Sequence, residues 1–207
     1  MMTQPREKIA GLVLAAGRSS RMGKTKQLLR IGGKTVLERI VEAALGSNLH
    51  EVVLVLGYQA GVLRGVLSPM LSHARLRIVE NIHYEEGMST SIRVGLGAVE
   101  DHAEHVMILL ADMPHVNSHL INHLLAGYLA SGKTLGAVSV KGRRSLPVIL
   151  GRAWYRALHD LQGDVGARAL FAAFTDEVCL VDAPPTYDDL DLDTPEDYRK
   201  ALLEIPE

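Results

Sequence analysis

The feature that most constrains this chain is an unbroken apolar run, Ile9 to Ala15, followed at once by a loop of another character. The run shows no polar alternation, which is the pattern of a strand buried on both faces and so of a parallel sheet covered by helices. It breaks at Gly17 into a small, polar, basic stretch that ends at Gly23 and is followed by Lys24 and Lys26. A buried strand feeding a loop of glycine, serine and cations is how α/β proteins cradle phosphates. Backbone N–H groups supply directed donors, and Arg and Lys supply charge. The loop therefore points to a bound nucleoside triphosphate.

Two phosphate-loop patterns offer themselves and both fail. Gly17 to Gly23-Lys24-Thr25 resembles Gly-x-x-x-x-Gly-Lys-Ser/Thr, but five residues stand between the glycines where four are required. An extra residue changes which N–H groups converge on a β-phosphate. The second, Gly32-Gly33-Lys34-Thr35, has Leu28 where the first glycine belongs. It reads as a turn before a helix, with Thr35 as N-cap and Glu38 as its capping-box partner.

Downstream, strand and helix patterns alternate. Helices are expected over Thr35–Leu45, Ala60–Leu71 (weakened by Gly61 and Gly65 and cut by Pro69), Met88–Val99 and Ser118–Ala130. Strands are expected over Glu51–Leu56, Leu76–Glu80 and His105–Leu110. Such an order calls for a mostly parallel sheet with helices on both faces, which binds ligands beyond the carboxyl ends of its strands. The loops at Gly17–Lys26, Asn81–Met88 and Ala111–Pro114 should then converge. From Leu135 the rhythm changes. Short strands at Leu135–Val140 and Pro147–Leu150 flank a basic turn, Lys141 to Arg144. Helical stretches follow at Ala153–Leu161 and Gly166–Phe174, then a strand at Val178–Val181. An acidic loop leads into a last helix, with Thr194 as N-cap and Pro195 at its first position.

The chain has 207 residues, 47% of them hydrophobic, enough for the core of one domain spanning 1–207. A net charge of −2 gives no global field for nucleic acid or an anionic membrane. A single cysteine, Cys179, excludes a disulfide framework and a multi-cysteine zinc site. No signal-peptide core and no run of membrane-spanning length are present, so a cytoplasmic protein is expected.

Several residues have the chemistry for a site, each with a plainer alternative. Asp112 follows the apolar run Val106–Leu110, where a carboxylate faces the ligand crevice and can bind Mg²⁺; it can equally cap the next helix. Asp191 and Asp193 alternate in an extended segment and point together, either to complete a metal site, with Asp191 favoured, or as a solvated acidic loop. Asn81, Ser89 and Ser91 follow the third strand, where small polar groups at a helix start can read a pyrimidine edge or merely cap the helix. Asp164 and Arg168 lie in Gly163-Asp-Val-Gly-Ala-Arg168, a turn into a helix, with Asp164 able to cap it and Arg168 to sit in solvent. His115, His119 and His123 share one helix face at a zinc-compatible spacing, but without a nearby Cys or an intervening Glu a wet helix face is the better reading.

The string Leu14-Ala15-Ala16-Gly17-Arg18-Ser19-Ser20-Arg21-Met22-Gly23, then Lys26, resembles the signature of the molybdenum cofactor nucleotidyltransferases. Ala16 with Ser19 is more similar to the cytidylyl-transferring branch than to the guanylyl branch, which usually has Gly at the place of Ala16. Further matches are Asn81, Gly87, Ser91 and Ile92; Asp112-Met113-Pro114; Gly163 to Arg168; and the terminal Asp-Thr-Pro-Glu-Asp-Tyr198. The resemblance implies a three-layer Rossmann-like fold with a mostly parallel sheet. It also implies transfer of CMP from CTP to the phosphate of molybdopterin or its molybdenum-loaded form, with release of pyrophosphate, for maturation of molybdenum hydroxylases.

On this resemblance Arg21, Lys26 and Asp112 are the catalytic residues. Leu14, Ala15, Ala16, Gly17, Ser19, Gly23, Asn81, Ser89 and Ser91 bind the nucleotide. Asp164 and Arg168 bind the acceptor, and Asp112 with Asp191 holds Mg²⁺. The implied partners are CTP, a molybdopterin-type substrate and a molybdenum hydroxylase or its chaperone. One departure stands out: Ser145-Leu146 occupies the place where relatives often carry Gly-His before Pro147, so the acceptor contacts differ. The alternatives are a related enzyme using GTP or a sugar or alcohol phosphate, and a non-catalytic cofactor-binding accessory.

Overall fold

The computed structural model describes residues 7–18 and 25–205. Alternation of strand and helix produces β1 (Ile9–Ala15), β2 (Arg30–Ile31), β3 (Lys34–Thr35), α1 (Val36–Leu45), β4 (Glu51–Leu56), α2 (Ala60–Val66), β5 (Leu76–Glu80), α3 (Met88–Gly97), β6 (His105–Leu110) and α4 (Ser118–Ser131). The second half adds β7 (Leu135–Val140), β8 (Arg143–Gly151), α5 (Tyr155–His159), α6 (Arg168–Ala173), β9 (Val178–Asp182) and α7 (Pro195–Glu204). Seven strands form one sheet in the order β5-β4-β1-β6-β8-β7-β9. Only β8 runs against its neighbours; the other pairings are parallel.

The sheet is central because β1 is buried at every position. Its side chains divide between two apolar layers. Ile9, Val13 and Ala15 face α1, α2 and α4, while Ala10, Leu12 and Leu14 face α3, α5 and α6. Burying such strands on both faces is what makes the middle of the sheet an uninterrupted apolar run. The chain reverses its winding between β1 and β6, so the crevice for a ligand opens beyond the carboxyl ends of these two strands.

Local signals act where they were expected. Thr35 and Glu38 form a reciprocal capping box on α1, and Thr194 does the same with Asp197 on α7, with Pro195 at the first helical position. Several extents differ from the sequence reading, three of them in kind. Gly32-Gly33 turns a small antiparallel hairpin, β2–β3, which itself leads into α1. The helix expected to Leu71 ends at Val66, and a separate 3₁₀ turn at Ser68–Met70 begins around Pro69. The strand expected from Pro147 starts at Arg143, because the β7–β8 register shifts between Ala137 and Val138 and leaves Leu146 and Pro147 in a bulge. A bulge is where a strand tolerates proline.

A third small cluster, Ile31, Val36, Leu192 and Ala201, fastens the C-terminal segment and α7 to the β2–β3 hairpin. Tyr198 reinforces this by donating its hydroxyl to the Arg30 carbonyl at 2.8 Å. The acidic segment 188–193 is thereby brought over the carboxyl end of β6.

Candidate active site

The site begins where β1 ends. Gln27, in a 3₁₀ turn at Lys26–Leu28, is buried, and its amide donates to the carbonyls of Ala15 and Gly17, each at 3.3 Å. Tyr58 N–H donates to the Ala16 carbonyl at 3.1 Å. These bonds occupy carbonyls at the start of the loop and hold its backbone in place. Arg18 turns outward to pair with Glu85, and exposure of both groups makes that pair weak.

Lys26 is buried and reaches across the crevice, with its Nζ bonded to Asp193 and 3.6 Å from Asp112 Oδ2. Asp112 stands at the end of β6, and its carbonyl accepts from Leu192 N–H at 3.1 Å. Leu192 is fully buried, so the residues flanking it, Asp191 and Asp193, are fixed around that anchor. Burial holds the Asp112 carboxyl above its ordinary range against the pull of Lys26, and the charges of Asp191 and Asp193 push it further up. Partial desolvation, then Asp193, pushes Asp191 up as well.

The Asp112 Oδ1 atom is buried and has no hydrogen-bond partner among the described residues. A buried, unsatisfied carboxylate oxygen costs free energy unless something binds it. Among the described residues no group of three or more His, Cys, Asp or Glu side chains is placed to hold a metal by itself. Mg²⁺ typically takes one or two carboxylates and completes its shell with water and substrate phosphates. Asp112, with Asp191 beside it, suits that role.

Two adjoining cavities meet here. The smaller, about 210 Å³, is lined by Leu14, Ala16, Gly17, Lys26, Asp112 and Ser91, among others. The larger, about 680 Å³, lies toward β8 and α6. Met88, Leu110 and Asp164 line both. The larger cavity is lined by Arg143, Arg144 and Arg168, by Asp188, Asp189 and Asp191, with Arg143 3.7 Å from Asp189, and by the apolar side chains of Ile92, Ile108 and Phe171 among others. The Arg144 guanidinium lies 5.2 Å above the Phe171 ring. Burial, then the like charge of Arg168, holds Arg144 below its ordinary value, so two cations face the same space.

Lys26 and Asp112 thus line the smaller cavity, Arg168 lines the larger one, and Asp164 lines both. Arg21, Ser19 and Gly23 lie outside the described residues. Ala15 is buried beneath the loop and offers its carbonyl to Gln27. Asn81 and Ser89 lie under the cavity surface, each 1% exposed. The Asn81 amide donates to Thr90 Oγ1 and Ser91 Oγ at 2.8 and 3.0 Å, and its oxygen accepts from His83 N–H. It braces the start of α3 from below. Ser89 caps nothing: its hydroxyl is buried without a hydrogen-bond partner among the described residues. His115 and His123 go to different partners, Glu204 and the Asp182 carbonyl. Gln27 and Arg144 carry roles that sequence reasoning missed. Gln27 sits in a polar stretch with no periodicity, and Arg144 reads as part of a surface turn.

This chain is similar to the nicotine blue oxidoreductase of Paenarthrobacter nicotinovorans, with 30% identity over 203 residues, covering 94% of this chain and 96% of that one. It is 31% identical over 103 residues to the molybdenum cofactor cytidylyltransferase of Escherichia coli, about half of each chain (50% and 50%). Among solved structures it is similar to Rv0371c of Mycobacterium tuberculosis, with a TM-score of 0.81 at 28% identity over 97% of this chain and 100% of that one. A manganese complex of Rv0371c superposes with a TM-score of 0.77 at 27% identity over 96% of this chain and 100% of that one. The MobA-like NTP transferase domain family matches residues 11–178, a span that holds most of β1 and Lys26, Asp112 and Arg168, and the chain belongs to that family.

Proposed function

We propose that this protein transfers CMP from CTP to the phosphate of molybdopterin or its molybdenum-loaded form, releasing pyrophosphate, in the maturation of molybdenum hydroxylases. The observation that carries the reading is the pairing of two adjoining cavities: a small one lined by Lys26 and Asp112, and a larger one lined by Arg144 and Arg168. Family membership and the similarity to a cytidylyltransferase support it.

The chemistry asks little of the protein beyond charge and position. An acceptor phosphate oxygen attacks the α-phosphorus of CTP; the new P–O bond forms as the bond to the β-phosphate oxygen breaks, and pyrophosphate leaves with the electron pair. The attacking oxygen is already anionic at neutral pH, so no general base is needed. What must be overcome is repulsion between two polyanions. Lys26 faces the triphosphate cavity and would take negative charge as the leaving group develops it. Arg144 and Arg168 would hold the acceptor phosphate, and the apolar lining its ring system. Mg²⁺ held by Asp112 and Asp191 would supply further neutralisation at the phosphates.

The test is pyrophosphate release from CTP, GTP, ATP and UTP with molybdopterin as acceptor. Release with CTP well above the others is expected. Equal release from GTP would move the protein to the guanylyl branch, and no release from any donor would overturn the reading. A second reading rests on two observations. The similarity to an oxidoreductase spans 94% of this chain, and Leu146 adds an apolar side chain to the larger cavity where relatives often carry His. Redox turnover of nicotine blue, with no pyrophosphate formed from any triphosphate, would favour it.

A further inference from the structure

Every helix begins with backbone N–H groups that lack a partner inside the helix, and most helices meet this need locally. Here α1, α4 and α7 do so with Thr35, Asn117 and Thr194. The helix beside the smaller cavity, α3, does not. Its N-cap is Gly87, which has no side chain to offer. The first two N–H groups of α3 instead find partners far along the chain: Met88 N–H donates to Asp164 Oδ1 at 3.0 Å, and Ser89 N–H to the Gly163 carbonyl, also at 3.0 Å.

The contact is close enough to dictate the residue opposite it. Gly87 has φ of +109°, and a Cβ there would stand 2.4 Å from the Gly163 carbonyl carbon. Only glycine allows that backbone angle and that approach together. The first turn of α3 then carries Thr90 and Ser91, which receive the Asn81 amide, and Ser91 lines the smaller cavity. Asp164 stands where the two cavities meet and lines both, and a continuous path runs from it, through the start of α3, to Ser91 on the wall of the smaller one.

We propose that Asp164 is a positioning residue for the nucleotide: it acts through α3, by capping the helix whose first turn shapes the nucleotide cavity, and not as a contact to the acceptor. This rests on the nucleotide occupying the smaller cavity, as proposed above. A carboxylate suits the position twice over, since it accepts the hydrogen bond and its charge complements the helix N-terminus. An Asn keeps the first property and loses the second; an Ala loses both.

The test uses the purified full chain as wild type, Asp164→Asn and Asp164→Ala, with two readouts. Amide hydrogen exchange at Met88–Ser91 reports the cap with no ligand present. Calorimetric titration with CTP and Mg²⁺ reports nucleotide affinity. Asp164→Ala should lose protection at these amides and bind CTP about fivefold more weakly, the scale set by losing one helix cap. Asp164→Asn should retain most of both. Unchanged exchange in Asp164→Ala, or CTP affinity equal to wild type with only the acceptor KM raised, overturns the proposal. So does an Asn variant as impaired as the Ala variant. A wild type that binds none of the four triphosphates would instead overturn the proposed function, so the two failures are distinguishable.

Discussion

The two cavities are built by different means. The smaller one sits on parallel, doubly buried strands, and its polar groups are held from beneath: the loop carbonyls bonded by Gln27, the Asn81 amide behind Thr90 and Ser91, and Lys26 between two aspartates. The larger one sits where the sheet turns antiparallel and β8 bulges at Leu146 and Pro147, and its polar walls are partly exposed arginine and aspartate side chains. Backbone held by a buried sheet is expensive to alter, whereas an exposed arginine or a bulge residue is replaced at little cost to the fold. The first cavity suits a group that every reaction cycle shares, the triphosphate. The second, with Ser145 and Leu146 in its wall, suits a substrate that differs from one family member to another.

The largest effect should come from the centre of the smaller cavity. Asp112→Ala should lower turnover about a thousandfold, the scale of removing a metal ligand or a main electrostatic contact, while thermal unfolding stays at or above that of the wild type. The second half follows from burial: a carboxylate with an unsatisfied oxygen and two like charges nearby does not stabilise the native state. A loss of fold together with activity would mean that Asp112 is structural and would erase the contrast. Lys26→Met should come next, about a hundredfold in kcat/KM for the nucleotide. Unlike the Asp112 change it should also destabilise, because it removes a cation shared by Asp112 and Asp193.

The contrast also sorts what was legible in the sequence. The parallel half was legible because its signals are local: β1 announces itself by lacking alternation, and Thr35-Glu38 and Thr194-Pro195 mark helix starts within four residues. The pairing of Lys26 with Asp112 followed from the rule that ligands gather at strand carboxyl ends. The alternation of Asp191 and Asp193 was legible, but not the buried Leu192 that anchors them or the choice of Asp193 as the bonded partner of Lys26. The two-residue strands β2 and β3 are too short for any periodicity. The cap on α3 comes from Asp164, 76 residues away, where no local pattern can reach. Arg144 was missed because the bulge, a property of pairing with β7, decides which way that stretch of β8 is aimed.

On the acceptor side the effects should be smaller and confined. Arg144→Gln should raise the acceptor KM about tenfold, the scale of one charge-assisted contact to a phosphate, with nucleotide affinity as in the wild type. Its stacking on Phe171 and the like charge of Arg168 place it on the larger cavity alone. A comparable rise in the nucleotide KM would show that the cavities are not separate in function.

The smallest effect concerns the outer support of the larger cavity's acidic wall. Behind Asp188 and Asp189 lies a third hollow, about 440 Å³, lined also by His115, Tyr187 and Glu204. His115 is nearly covered, with its Nε2 3.2 Å from Glu204 Oε2. Burial, opposed by Glu204 and Asp188, holds the imidazole below its ordinary value of 6.5. As pH falls through 6.5 the unfolded chain therefore takes up a proton before the folded one does. Stability is full above that value and declines below it, by ~1 kcal/mol or less for a single histidine. Denaturant unfolding between pH 7.5 and 5.5 should show this decline (about a two-unit span around the histidine range). His115→Gln should flatten it, and Glu204→Gln should steepen it by removing the carboxylate that favours the protonated ring. Nucleotide affinity should stay level in both variants, because neither residue lines the smaller cavity; a Glu204→Gln slope shallower than the wild type would reverse the assigned sign of that pair.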